Sequence, residues 1–141
     1  MNKTKVVVDT SVIIKWLSSD KEELLDSANK LLEDALEEKI ELLAPELSKY
    51  EVGNVLLFSK KLSSQQGSEV LRQFYTLPIN FIPESEELAS DAYKLAFELG
   101  ITYYDASFIS LAKQNDAILV TDNIKHQGRS VDITVRSLKD Y

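Results

Sequence analysis

Three consecutive β-branched residues, Val6-Val7-Val8, stop abruptly at Asp9, and short apolar runs of this kind recur along the chain with helical stripes between them. A run without polar alternation is the mark of a strand buried on both faces. Asp9-Thr10-Ser11 supplies capping side chains for a helix over 12–17. Leu24, Ala28, Leu31, Leu32 and Ala35 repeat at helical spacing and predict a helix from about 23 to 37. A strand is expected over 40–44, ended by Pro45, then a helix over 46–60 and another over 64–76 with Val70, Leu71 and Phe74 inward. Ile79-Asn80-Phe81-Ile82 reads as a strand between Pro78 and Pro83, and 84–99 as a helix stopped by Gly100. A helix over 105–114, a strand over 117–120 and a last strand over 131–135 complete the pattern. Strands alternating with amphipathic helices predict a parallel sheet covered on both faces. The expected fold is an α/β three-layer α/β/α sandwich with a mostly parallel central sheet, a single domain over residues 1–141.

The side chains on offer narrow the chemistry. Cysteine is absent, which removes disulfides, thiol nucleophiles and cysteine-held metals, and His126 is the only histidine. The glycines at 53, 67, 100 and 128 are too scattered for a dinucleotide fingerprint or a phosphate loop. With 16 Lys+Arg against 23 Asp+Glu the net charge is −7, so there is no bulk positive field to draw in nucleic acid. The first apolar run is too short for a secretion signal and no stretch approaches a membrane span, so the expected location is cytoplasmic. What remains for chemistry is mostly carboxylates.

Four of them stand in unusual places. Asp9 and Asp122 lie where the first strand and the 117–120 strand end, and in open parallel sheets the binding crevice lies beyond those carboxyl ends. Each has a structural reading as well, Asp9 as a helix cap and Asp122 as a turn residue. Glu51 shares a helical face with Leu47, Asn54, Val55 and Phe58, which predicts an inward carboxylate, or one tilted to the edge of that face. Asp105 shares a face with Phe108, Ile109 and Ala112, and otherwise caps its helix. Converging carboxylates repel, and divalent cations are a usual relief. Oxygen-only ligands suit Mg²⁺ or Mn²⁺, and two such ions about 3.5–4 Å apart can activate water for phosphodiester hydrolysis.

Read in order, Val6-Val7-Val8-Asp9-Thr10-Ser11, Glu51-Val52-Gly53-Asn54-Val55-Leu56, Tyr104-Asp105-Ala106-Ser107-Phe108-Ile109-Ser110-Leu111-Ala112 and Leu119-Val120-Thr121-Asp122 resemble the motifs of PIN-domain ribonucleases, and most closely those of VapC-type toxins of toxin–antitoxin pairs. The resemblance implies a metal-dependent ribonuclease in which Asp9, Glu51 and Asp105 hold Mg²⁺ or Mn²⁺ and an acid after the last strand completes the set. It implies a supporting role for the Ser11 hydroxyl. In many members the fourth acid stands two residues after the threonine; that position here is Asn123, so Asp122 is taken as the fourth ligand with Asn123 as an auxiliary. A homodimer and a small VapB-like antitoxin partner are implied as well.

Lys15, Lys125 and Arg129, with Arg136 and Lys139, are candidates to line a path for an RNA backbone, against the plainer reading of a solvated rim. His126 is placed at the surface, and Trp16, Tyr103, Tyr104 and Phe108 in the core. An aspartyl phosphatase would need a second acid where Ser11 stands. The alternative that survives is a non-catalytic PIN-like module that binds RNA or a partner through a degraded metal site.

Overall fold

The computed structural model describes residues 3–18, 25–122 and 133–141. Five parallel strands run in the order β3-β2-β1-β4-β5, with β1 at Thr4–Val8, β2 at Ile40–Pro45, β3 at Ile79–Ile82, β4 at Ile118–Thr121 and β5 at Val135–Ser137. Side chains alternate across the central strand and so build two cores. Val6 and Val8 pack with Val12, Ile13, Leu31, Leu42, Phe74 and Leu138 on one face, beneath α1 (Thr10–Leu17), α2 (Leu25–Leu36), α3 (Leu47–Asn54) and α4 (Ser64–Phe74). Val7 packs with Leu43, Phe108, Ile109, Leu111 and Leu119 on the other, beneath α5 (Glu86–Leu99) and α6 (Tyr103–Gln114). The α/β/α sandwich is the one expected. Leu119 is fully buried in β4, next to the central strand, and Leu119→Ala is expected to lower unfolding free energy by about 2–5 kcal/mol in urea titrations.

Local signals explain the element ends. Gly100 takes a left-handed φ of 65° and closes α5 with its N–H on the Ala96 carbonyl. The Trp16 indole donates to the Ala28 carbonyl at 2.7 Å, which fixes α2 against α1. Tyr141 donates to Asp34 at 2.5 Å, and Lys30 to the same carboxylate at 2.7 Å, pinning the chain's end to α2.

Three expectations need correction. The last strand is Val135–Ser137, not 131–135; of that span, 131–132 lie outside the described residues and 133–134 precede the strand. Pairing decides it, because β4 offers register partners from Leu119 to Thr121 only. The 46–60 helix is α3 followed by a π-helical turn over Val55–Ser59. The buried positions are Ser48, Val52 and Leu56, while Asn54 and Phe58 face solvent. Finally, α6 starts at Tyr103, capped by Thr102.

The order of strands places the site. The chain runs outward from β1 through β2 to β3, then returns to lay β4 and β5 on the opposite side. The reversal falls between β1 and β4, and a crevice opens beyond the carboxyl ends of strands at such a switch point.

Candidate active site

Asp9 leaves the carboxyl end of β1 and caps α1. Its two oxygens divide the work: Oδ1 accepts the Val12 N–H and the Ser11 hydroxyl, the latter at 2.5 Å, and Oδ2 accepts the Thr121 hydroxyl from the end of β4. The capping reading holds, and the same side chain reaches across to the end of β4. Asp9 is 7% exposed. Burial pushes its carboxyl above the ordinary range, the hydroxyls and the N–H pull the other way, and the negative charge of Asp122 adds to the upward push.

Glu51 sits half-buried on α3 and accepts the Thr10 hydroxyl at 2.7 Å. The expected inward position is corrected to the edge of its face, the consequence of the buried stripe running through Ser48, Val52 and Leu56. Burial raises its carboxyl; Thr10 opposes that, and the charges of Asp105 and then Asp9 add to it. Asp105 and Asp9 therefore both lie within electrostatic reach of Glu51. Asp105 stands half-buried in the first turn of α6, its own N–H bonded to the Thr102 side chain at 3.0 Å, so it is not the cap. The carboxylates are neighbours, not a closed cage: among the described residues no three acidic side chains are grouped to hold one ion.

Asp122 follows β4, with its N–H directed at the Ser11 hydroxyl at 3.4 Å and its carboxylate 3.3 Å from the Lys15 ammonium. The Lys15 side chain is only 5% exposed. It cannot serve as a solvent-facing contact for an RNA backbone, and that expectation is corrected: the long stem of a lysine reaches from a buried helix face to a carboxylate just past the carboxyl end of β4. Tyr104 is corrected too, being 61% exposed. Phe108 is core as expected, and Tyr103 donates to Glu84, which pushes its phenol up to about 12. Arg136 and Lys139 are exposed. Asn123, Lys125, His126 and Arg129 lie outside the described residues.

Sequence reasoning passed over the two threonines that hold the acids. Thr10 and Thr121 are each next to a site aspartate in the chain, and that adjacency at a strand end is the signal that points to them.

The sequence profile of the PIN domain matches residues 6–128. This chain belongs to the PIN-domain family. No curated protein matches its sequence. Among solved structures the PIN fold here resembles VapBC2 from Rickettsia felis bound to a promoter DNA fragment, with 21% identity, 95% of this chain and 98% of that one covered, and a TM-score of 0.75. DNA-bound VapBC from Salmonella typhimurium is similar at 16% identity, 96% and 98% coverage and a TM-score of 0.73. VapC20 from Mycobacterium tuberculosis, a toxin that cleaves the sarcin–ricin loop, shares the fold at 12% identity, 81% and 86% coverage and a TM-score of 0.62. Among the described residues no helix of this PIN domain is long and apolar enough to cross a membrane.

Within the PIN domain, Thr121→Val removes a buried donor from Asp9 while keeping the side chain's shape. The variant is expected to lose about 1–3 kcal/mol in urea denaturation.

Proposed function

We propose that this PIN domain is a metal-dependent ribonuclease and the toxin of a toxin–antitoxin pair. One observation carries the reading: a buried carboxylate at the end of the central strand, held by hydroxyls, with Asp105 and then Asp9 close enough to Glu51 for their charges to push its carboxyl up. The donor set fits a hard divalent cation, since it is all oxygen and its repulsions are ones a cation relieves. Mg²⁺ keeps several waters and takes one or two carboxylates directly, so it does not need a closed cage of acids. Asp9, Glu51 and Asp105 would hold Mg²⁺ or Mn²⁺, with the remaining shell filled by water and substrate phosphate. The ion when bound supplies a polarised water and a positive charge at the phosphodiester.

The chain's own groups prepare that site. Thr121, Ser11 and the Val12 N–H fix both Asp9 oxygens in place, and Thr10 aims Glu51. The deprotonated forms of Asp9 and Glu51 accept the cation, and protonation of either removes it. Lys125 and Arg129 are assigned to the RNA backbone and Asn123 to an auxiliary role at the ion, as the family resemblance implies. A homodimer, a small antitoxin seated near the acidic crevice and a cytoplasmic location belong to the same reading; VapBC neighbours of matching fold support the partner, and a toxin that cleaves an RNA loop supports the substrate class.

The second reading, a non-catalytic module for RNA or a partner, is favoured by one feature: the absence, among the described residues, of three grouped acids. Incubation of the purified protein with structured and single-stranded RNAs separates the two. Cleavage in Mn²⁺ that stops with EDTA is the expected result. RNA retention without cleavage in any divalent cation establishes the binding module.

A further inference from the structure

We infer that a slot beside the acids receives one base of the RNA and selects guanine through Glu84. The inference rests on the ribonuclease reading above and deepens it by naming what the substrate presents. The slot opens among α3, α5 and α6 and is lined by Leu47, Ile82, Leu88 and Leu111 together with Tyr103 and Tyr104. Its volume is about 240 Å³. Sites for drug-sized ligands run to about 300–1,000 Å³, so this one takes a single ring system or one side chain, not a helix. Its place relative to the acids follows from the chain. Leu47 stands one helical turn before Glu51 on α3, and Tyr104 immediately precedes Asp105 on α6. Pro45 and Ile82, register partners at the carboxyl ends of β2 and β3, also line the slot. Since β2 adjoins β1, the slot lies one or two strand spacings, about 5–10 Å, from the end of β1. A nucleotide whose phosphate reaches Asp9 can lay its base there.

The polar groups at the slot choose the base. Glu46 is paired with Lys49 at 3.0 Å. Glu84 accepts the Tyr103 hydroxyl at 2.6 Å, which takes one of the roughly four lone-pair sites of a carboxylate. A carboxylate here repels phosphate, so the neutral base enters and the backbone stays outside. Guanine presents two donors side by side, N1–H and the N2 amino group, which match the two oxygens of one carboxylate. Adenine and cytosine set a ring acceptor beside their amino group, and uracil flanks its single N–H with carbonyls. Each of these turns a lone pair toward Glu84. Tyr104, 61% exposed, offers a stacking face, which adds affinity without choosing among bases. Stacking on aromatic side chains combined with bonds to a base's pairing edge is how single-stranded RNA is commonly read. Glu84 is thus the specificity-determining residue.

Titration of the full chain with guanosine, adenosine, cytidine and uridine, followed through the tyrosine ring signals by nuclear magnetic resonance, tests this. Guanosine is expected to shift the Tyr103 and Tyr104 signals saturably and to bind about tenfold or more tighter than the other three, the scale of one bidentate base contact. Glu84 is exposed ahead of α5, so Glu84→Gln folds, and it is expected to abolish the preference. Tyr104→Ala is expected to weaken all four nucleosides together. Shifts by no nucleoside overturn the inference, as do equal affinities or a preference that Glu84→Gln leaves intact. Shifts by methylguanidinium and not by guanosine overturn it too, and make the slot a seat for a partner's arginine. Signals that move on dilution while nucleosides leave them in place overturn it in favour of a second copy. Cleavage of random-sequence RNA in Mn²⁺ is the second arm. Guanine should be enriched about tenfold at one fixed position beside the cut, and Glu84→Gln should erase that enrichment. Cuts with no base preference overturn the inference. The titration needs neither cation nor cleavage, so guanosine binding by a protein that cuts no RNA brings down the ribonuclease reading and leaves the guanine slot standing.

Discussion

Asp9→Asn is expected to abolish RNA cleavage, with a loss of about 1,000-fold or more, while the protein stays folded and melts no lower than the wild type. The loss corresponds to about 4 kcal/mol of transition-state stabilisation, the scale on which a metal's electrostatic help operates. The structural side follows from the bonds Asp9 makes. An asparagine side chain still caps α1 through its carbonyl oxygen, accepting from Val12 and Ser11, and its amide turns toward the Thr121 hydroxyl. What disappears is a negative charge that burial disfavours. Removing it relieves the folded state, so melting in EDTA should be unchanged or raised. Cleavage assays in Mn²⁺ beside thermal melts separate the two effects. An inactive variant that is also unfolded would say nothing for the site, and a folded, fully active one would remove Asp9 from the chemistry.

A second large effect is the interplay of cation and pH. Asp9 and Glu51 both carry carboxyls raised above the ordinary 3.8 and 4.5. The folded chain therefore binds more protons than the unfolded chain between those values and the raised ones. Stability contributed by these groups is greatest below the ordinary values and declines as pH climbs through the raised ones. Asp34 runs the opposite way. Hydrogen bonds from Lys30, then Tyr141, hold it below 3.8, so its contribution is present above that value and lost as pH falls through its lowered one. The difference between wild type and Asp9→Asn isolates the site from such carboxylates: in EDTA it should turn against the wild type as pH rises above the ordinary value of 3.8 and through the raised one. Mn²⁺ should reverse it, because the ion takes only the deprotonated acids. At 100 times its dissociation constant the ion is expected to raise Tm by about 10 °C at pH 8, and by progressively less as pH falls toward the range where these carboxyls protonate. A stabilisation independent of pH, or equal in Asp9→Asn, would mean that the ion binds elsewhere.

How far such a site can be read from a sequence depends on which physical signal each residue carries. Val6-Val7-Val8 foretells the central strand because a strand buried on both faces has no polar position to disguise it. The β3 strand lies between two prolines that bracket it, and Gly100 marks the end of α5 through a conformation that other residues seldom adopt. Asp9 was ambiguous for a good reason, since a carboxylate with two oxygens can cap a helix and face a crevice at once. The misplacements come from interactions that no local pattern records. The buried stripe of α3 runs through Ser48, Val52 and on to Leu56, chosen by what packs against it, and this leaves Glu51 at its rim. The strand β5 forms where β4 offers partners, not where β-branched residues are densest. Lys15 is polar and flexible, so its enclosure and its pairing with Asp122 follow from tertiary placement alone.

The central claim is that Asp9, Glu51 and Asp105, gathered from three separate elements, hold a divalent cation beyond the end of the central strand. Anomalous scattering from crystals grown with Mn²⁺ tests it most directly. A manganese peak in the crevice bonded to Asp9 at about 2.1 Å, with Glu51 and Asp105 reaching it directly or through one water, is the predicted result. Well-ordered crystals with Mn²⁺ bound at other carboxylates and none beside Asp9 would contradict the account.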